Sequence, residues 1–255
     1  MTDLLESYRL VGDHTALERA GLFVAEGRLI VERLLERAYR IHSVLVTPAA
    51  AARLADVFAR RPDVTVVVRE PEVLEEITGI DFHRGCLALA YRWTQAMPIE
   101  SLAEARLLLA IEGVGNPDNI GGLFRTAFAF GVDAVLMNST AGDPLYRKAI
   151  RTSMGATLRV PYLRADDWTA TLDELRRRGM RILALTPQPE AVALHEVELE
   201  TSQRLVIMVG AEGPGLSGDT LARAVERVRI DIDPRADSLN VVVAAAIALH
   251  TLRTP

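Results

Sequence analysis

The run Leu205-Val206-Ile207-Met208-Val209 holds no polar side chain, and Gly210 follows at once. A strand with one wet face alternates polar and apolar residues, so five apolar positions in succession require cover on both faces. Helices packed on the two sides of a parallel sheet supply that cover. The neighbouring sequence fits such a layer. Arg106 to Ile111, Asp133 to Met137, Met180 to Leu185 and Val228 to Ile232 read as further strands. Asn119 to Phe130, Tyr146 to Met154, Asp167 to Arg178, Asp219 to Val225 and Ser238 to Leu252 read as helices between them.

The N-terminal part reads as a smaller α/β unit. A helix is expected over Thr15 to Ala38, then a strand over Ile41 to Thr47 and a helix over Pro48 to Arg60 that opens on its proline. Val64 to Val68 and Gly85 to Tyr91 follow as strands, with a short helix over Pro71 to Ile77 between them. Weak periodicity and Pro98 mark a linker. The expected organisation is an α/β domain over residues 1–93, a linker over 94–104, and an α/β domain with a parallel sheet over 105–255.

Composition narrows the function classes. The single cysteine, Cys86, excludes an intrachain disulfide and fits a reducing, cytoplasmic setting. The longest apolar stretch, Val241 to Leu249, falls well short of the roughly 20 residues that span a bilayer. Met1-Thr2-Asp3 lacks the basic start of a secretory signal. A net charge of −5 argues against coating nucleic acid by bulk attraction, yet it permits a locally basic groove. The basic residues are arginines except for Lys148, which suits bidentate phosphate contacts, although genomic base composition explains the same bias. His14, His42, His83, His195 and His250 show no ligand spacing, so no metal is expected.

Three polar islands follow predicted strands of the second unit, where open α/β sheets bind ligands. The first, Gly113 to Gly122, leads into Leu123-Phe124-Arg125. Asn116 is placed to cap a helix that begins at Pro117. Asn119 and Arg125 lie about 120° apart around that helix, and both can border one cavity at its start. Gly121 and Gly122 cost a helix about 1 kcal/mol each, which points either to a closely approaching ligand or to tight helix packing. Arg125 has apolar neighbours, so a buried guanidinium there would need an anionic partner.

The second island is Gly210-Ala211-Glu212-Gly213-Pro214-Gly215-Leu216-Ser217. Its G-x-x-G-x-G spacing is neither the dinucleotide fingerprint nor a P-loop. That absence counts against an oxidoreductase, the competing enzyme reading. The third island, Asp231 to Asp237, runs into Ser238-Leu239-Asn240. Ser238 reads as an N-cap, whereas Asn240, a poor helix former in the first turn, reads as functional.

Together the islands resemble a known family. Asn119-x-Gly121-x-x-x-Arg125, Gly210-x-Glu212-Gly213-x-Gly215-Leu216-Ser217 and Ser238-Leu239-Asn240-Val241 are similar, in order, to the three signature motifs of the SpoU/TrmH RNA ribose 2′-O-methyltransferases of the SPOUT superfamily. Lys148-Ala149-Ile150-Arg151-x-Ser153-Met154-Gly155-Ala156 resembles the segment that joins the first two motifs. Val24-Ala25-Glu26-Gly27 and His83-Arg84-Gly85 resemble markers of the family's L30e-like RNA-binding domain. Where the family carries Ile-Pro-Met, this chain has Ile230-Asp231-Ile232.

The resemblance implies a C-terminal trefoil knot that holds S-adenosylmethionine, and methyl transfer to a ribose 2′-hydroxyl of structured RNA. Ribosomal RNA is favoured over tRNA. It places Arg125, Asn119, Glu212, Ser238 and Asn240 at the reaction. It places Leu185, Thr186, Gly210, Glu212, Gly213, Ile230, Ile232 and Leu239 around the cofactor. It also implies a homodimer, with the final helix near the interface. The Ala244-Ala245-Ala246 stretch suits that contact or helix-on-sheet packing equally. Arg147, Lys148 and Arg151, with Arg9, Arg19, Arg28 and Arg84 of the first unit, are the expected RNA contacts. A non-catalytic RNA-binding protein on a degenerate fold is the remaining alternative, and the complete polar set argues against it.

Overall fold

The computed structural model describes residues 2–79, 85–92, 97–200 and 202–252. The chain forms two compact units, Met1–Gln95 with Pro144–Leu158, and Ala96–Asp143 with Arg159–Pro255.

Four strands form the sheet of the first unit: β1 (Leu22–Glu26), β2 (Ile41–Val46), β3 (Val66–Val68) and β4 (Cys86–Tyr91). Their order is β1-β4-β2-β3, with β4 antiparallel to both neighbours and β2 parallel to β3. The two-residue period sorts their side chains onto two buried faces. Phe23, Ala25, Val44, Val46, Ala88 and Ala90 meet Ile30, Val31 and Leu34 of the helix Arg28–Leu35. Leu22, Val24, Leu45, Leu87 and Leu89 meet Tyr8, Val11, Leu17 and Leu74.

This two-sided burial overturns the single helix expected over Thr15 to Ala38. The segment is a helix (His14–Arg19), then β1, then the helix Arg28–Leu35. All five β1 residues are buried, which a one-sided helical stripe cannot satisfy. Gly21 and Gly27, at φ 67° and 92°, make the two corners. The helix expected over Pro48 to Arg60 is likewise interrupted at Leu54, giving Pro48–Arg53 and Ala55–Ala59. Cys86 is a packing residue at 1 % exposure, and burial pushes its thiol up to about 12, so it stays protonated at neutral pH.

Residues 144–158 depart from the expected division, which assigned them to the second domain. Leu145, Ile150 and Leu158 bury themselves in the core around Phe23 and Val44. Arg147, on the helix Arg147–Thr152, pairs with Glu26 at 2.8 Å, and both side chains are largely covered.

The second unit is a seven-stranded sheet in the order β7-β6-β5-β10-β8-β11-β9, with every neighbouring pair parallel. The strands are β5 (Leu107–Glu112), β6 (Ala134–Met137), β7 (Tyr162–Arg164), β8 (Arg181–Leu185), β9 (Val192–Ala193), β10 (Leu205–Gly210) and β11 (Glu226–Arg229). The apolar run that opened the argument is β10, flanked by β5 and β8, and its first five residues are buried. One face packs Leu108, Ala110, Leu136, Val206 and Met208 against Leu172 and Leu175 of the helix Trp168–Arg177. The helix Pro117–Ala129 packs against β6, and the helix Val241–Leu252 packs against both β10 and Pro117–Ala129. β11 ends at Arg229 rather than at the expected Ile232, which frees Ile230 and Ile232 to form a loop. The short strands β7 and β9 were not expected from sequence.

Candidate active site

The loops beyond the carboxyl ends of β5, β8, β10 and β11 build the site. The first begins at β5. Asn116 caps the following helix, its Oδ1 accepting from the Asp118 amide at 2.9 Å, and Pro117 takes the first helical position. That start places Asn119 inward at 8 % exposure.

The second loop follows β10 and folds back tightly. The Gly215 amide donates to the Ala211 carbonyl at 3.0 Å, with Gly213 and Gly215 at φ 87° and 70°. A Cβ on Gly210 would lie 2.5 Å from the Gly215 carbonyl oxygen, so only glycine fits there. Glu112, at the end of β5, anchors the far side of the turn. It accepts from the Ser217 hydroxyl at 2.7 Å and from the Ser217 amide at 3.0 Å. Sequence reasoning missed Glu112. Its signal was an acidic residue closing an apolar strand immediately before Gly113.

The third loop delivers Asn240. The capping role expected of Ser238 falls to Asn240. The helix starts at Val241, and Asn240 caps it by accepting from the Val242 amide at 2.9 Å. Ser238 lies three residues before Val241 and lines a cavity instead.

These loops converge in a closed polar triangle. The Asn119 amide donates to Glu212 Oε1 at 3.0 Å. The Asn240 amide donates to the same Oε1 at 3.0 Å and to Asn119 Oδ1 at 3.1 Å. Two N–H donors on one carboxylate oxygen hold Glu212 in a single orientation.

Beside the triangle is a cavity of about 400 Å³. Leu185, Thr186, Gly210, Glu212, Gly213, Ile230, Ile232 and Leu239, the eight residues expected around the cofactor, all line it. The walls carry Leu185, Val209, Ile230, Ile232 and Leu239, while Thr186, Glu212, Asp237 and Ser238 supply hydroxyl and carboxylate groups. Apolar walls with a few polar groups suit a ligand that has a flat ring and a charged or hydroxylated tail.

Arg125 does not join the triangle, contrary to the expectation of a buried guanidinium held by an anion. It is exposed, about 9 Å further along the helix from Asn119. The 120° offset turns it away from the face that buries Asn119, Leu123 and Phe124. Of the glycine pair, Gly122 is explained by helix packing, since a Cβ there would come within 2.7 Å of Val242 Cγ2. Among the expected RNA contacts, Arg147 is committed to Glu26, and Arg9 pairs with Glu6 at 3.3 Å on the surface. Arg19, Arg28, Lys148 and Arg151 are exposed. Arg84 lies outside the described residues, as does His83.

The model of the SpoU rRNA Methylase family matches residues 106–250, the stretch that carries all three loops. This chain belongs to that family. Its sequence is 39% identical over 230 residues to an "Uncharacterized tRNA/rRNA methyltransferase" of Mycobacterium tuberculosis (strain ATCC 25618 / H37Rv), covering 90% of this chain and 80% of the relative. It is 29% identical to RlmP, the 23S rRNA (guanosine(2553)-2'-O)-methyltransferase of Bacillus subtilis, covering 94% and 92%. Its fold matches the AdoMet-bound rRNA methyltransferase from Sinorhizobium meliloti with a TM-score of 0.82 at 23% identity, over 97% of this chain and 92% of that one. Family membership therefore rests on the part of the chain that builds the triangle and the cavity.

Proposed function

We propose that this SpoU-family chain transfers a methyl group from S-adenosylmethionine to a ribose 2′-hydroxyl of ribosomal RNA. The observation that carries the reading is the convergence of Asn119, Glu212 and Asn240 beside a cavity lined by all eight residues expected around the cofactor. The residues present fit S-adenosylmethionine. Leu185, Ile230, Ile232 and Leu239 offer apolar walls to an adenine ring, and Thr186, Glu212, Asp237 and Ser238 offer partners to hydroxyl and ammonium groups. When bound, the cofactor supplies an electrophilic sulfonium methyl.

The chain's own task is to place the ribose oxygen and to stabilise the charge that develops on it. The triangle fixes the edge of the site on the Asn119 side. Arg125, an exposed cation on the same helix, grips an RNA phosphate and makes the neighbouring hydroxyl more acidic. It is not the base, because a guanidinium stays protonated near neutral pH. Incubation with methyl-labelled S-adenosylmethionine and ribosomal RNA, followed by alkaline hydrolysis, tests the reading. Label retained in alkali-resistant dinucleotides supports it, and label on bases or no label rejects it.

RlmP's name supports ribosomal RNA as the substrate, and a substrate of that class is consistent with work in the cytoplasm. The first unit is assigned as an L30e-like RNA-binding domain, with Arg19, Arg28, Lys148 and Arg151 as exposed contacts. The second unit is assigned as a trefoil-knotted methyltransferase domain. The late strand β10, set between the early β5 and β8, is consistent with a thread through the sheet. A homodimer is expected through the final helix. Val243 and Ile247, one turn apart, are 46% and 36% exposed there, and Phe128 on the adjoining helix is 45% exposed.

A further inference from the structure

Ile230-Asp231-Ile232 leaves the end of β11. Both isoleucines line the cavity and are half-buried, while Asp231 between them is exposed. Asp231 itself is not among the residues that line the cavity. Its two carboxylate oxygens have separate partners. Oδ1 pairs with the Arg229 guanidinium, and Oδ2 lies 3.3 Å from Nδ1 of His195. Arg229 is itself anchored, since its Nε donates to the Ala191 carbonyl at 2.9 Å and its backbone is in register with Ala193 of β9. His195 belongs to the 3-10 helix Leu194–Glu196, directly after β9. One carboxylate thus joins the end of β11 to the segment on either side of the edge strand.

We infer that Asp231 is a positioning residue of the cofactor cavity: held by Arg229 and His195, it fixes the direction in which Ile230 and Ile232 enter. The inference rests on the reading of that cavity as the S-adenosylmethionine site. The groups that bear on the clamp are Arg229 and Asp231 from the β11 end and Glu196 on the histidine's own helix. The helix Val241–Leu252 packs against Leu194–Glu196 and carries one titratable residue, His250, whose ring centroid lies 6.0 Å from that of Phe130. The Arg229 guanidinium and the His195 imidazole meet the carboxylate from two directions, so loss of either contact loosens the clamp.

The test uses the full-length protein as wild type, Asp231→Asn, His195→Gln and the double variant. Calorimetry with S-adenosylmethionine reports cofactor affinity. Hydrogen exchange of residues 228–240, without cofactor, reports the loop directly. Exposed ion pairs are weak, so Asp231→Asn should raise Kd by about two- to ten-fold and speed exchange in the loop. His195→Gln should raise Kd by about two-fold, less than Asp231→Asn does. The double variant should be no worse than Asp231→Asn alone. Unchanged exchange in Asp231→Asn overturns the positioning role whatever the cofactor does. So does a His195→Gln variant whose Kd and loop exchange both match wild type. A wild-type chain that binds no S-adenosylmethionine overturns the cofactor reading instead, and the exchange rates then decide the clamp by themselves.

Discussion

Gly210→Ala is the sharpest single perturbation of the site. The added methyl would lie 2.5 Å from the Gly215 carbonyl oxygen, and nearer still to the Gly215 carbonyl carbon and the Leu216 nitrogen. Every obstacle is backbone, so no side chain can swing aside. Restoring van der Waals separation requires the turn to retreat by about 1 Å. Overpacking of this kind costs about 1–3 kcal/mol. For a domain of this size that is a fall in Tm of roughly 2–12 °C. The functional loss should be larger than the stability loss. Glu212 sits two residues along the displaced turn, and its two hydrogen bonds at 3.0 Å do not survive such a shift. Misplacement by about 1 Å at a reacting centre costs on the order of 100-fold in rate. Differential scanning fluorimetry, calorimetry with S-adenosylmethionine and methyl transfer on the same preparation separate the two effects. A variant that binds cofactor and transfers methyl within two-fold of wild type, with Tm unchanged, refutes the geometry assigned to this turn.

Other consequences are independent of that turn's packing. Arg125→Ala should lower methyl transfer by about 100-fold or more, while cofactor affinity stays within two-fold because Arg125 does not line the cavity; an Arg125→Lys enzyme near wild-type rate would falsify the phosphate-gripping role. Glu112→Ala removes both hydrogen bonds between Glu112 and Ser217 and should cost about 1–3 kcal/mol of stability, read as a lower urea midpoint, with an unchanged midpoint counting against the anchor. Val243→Asp with Ile247→Asp should convert the proposed dimer to monomer in light scattering; a variant that remains dimeric moves the interface elsewhere.

The sequence revealed most where one physical demand left few solutions. An all-apolar β10 could only be a covered strand, and the polar stretches after such strands had to be loops at one end of the sheet. Asn119, Glu212 and Asn240 stood out because they lie in the polar islands after the strands and in the three motifs that resemble the family's, although the capping role of Asn240 was credited to Ser238. What stayed hidden depended on tertiary contacts. β1 borrows helix-like spacing from the residues on either side, and its pairing with β4 and its cover by Tyr8, Val11, Leu17 and Leu74 on the far face make it a strand. β7 and β9 have three and two residues, too few to show a period. The helix Arg147–Thr152 carries no local mark of its partner, which is the core around Phe23. The apolar sequence neighbours of Arg125 left two readings open, a guanidinium buried against an anion and a surface ion pair. The helix turns it outward, since adjacent residues in a helix face different sides.

Mapping ribose methylation across the ribosomal RNA of cells with and without this chain addresses the central claim most directly. The account predicts one 2′-O-methyl nucleotide that disappears with the gene and returns on re-expression of wild type but not of Arg125→Ala. An unchanged methylation map, or a lost modification that proves to sit on a base, contradicts it.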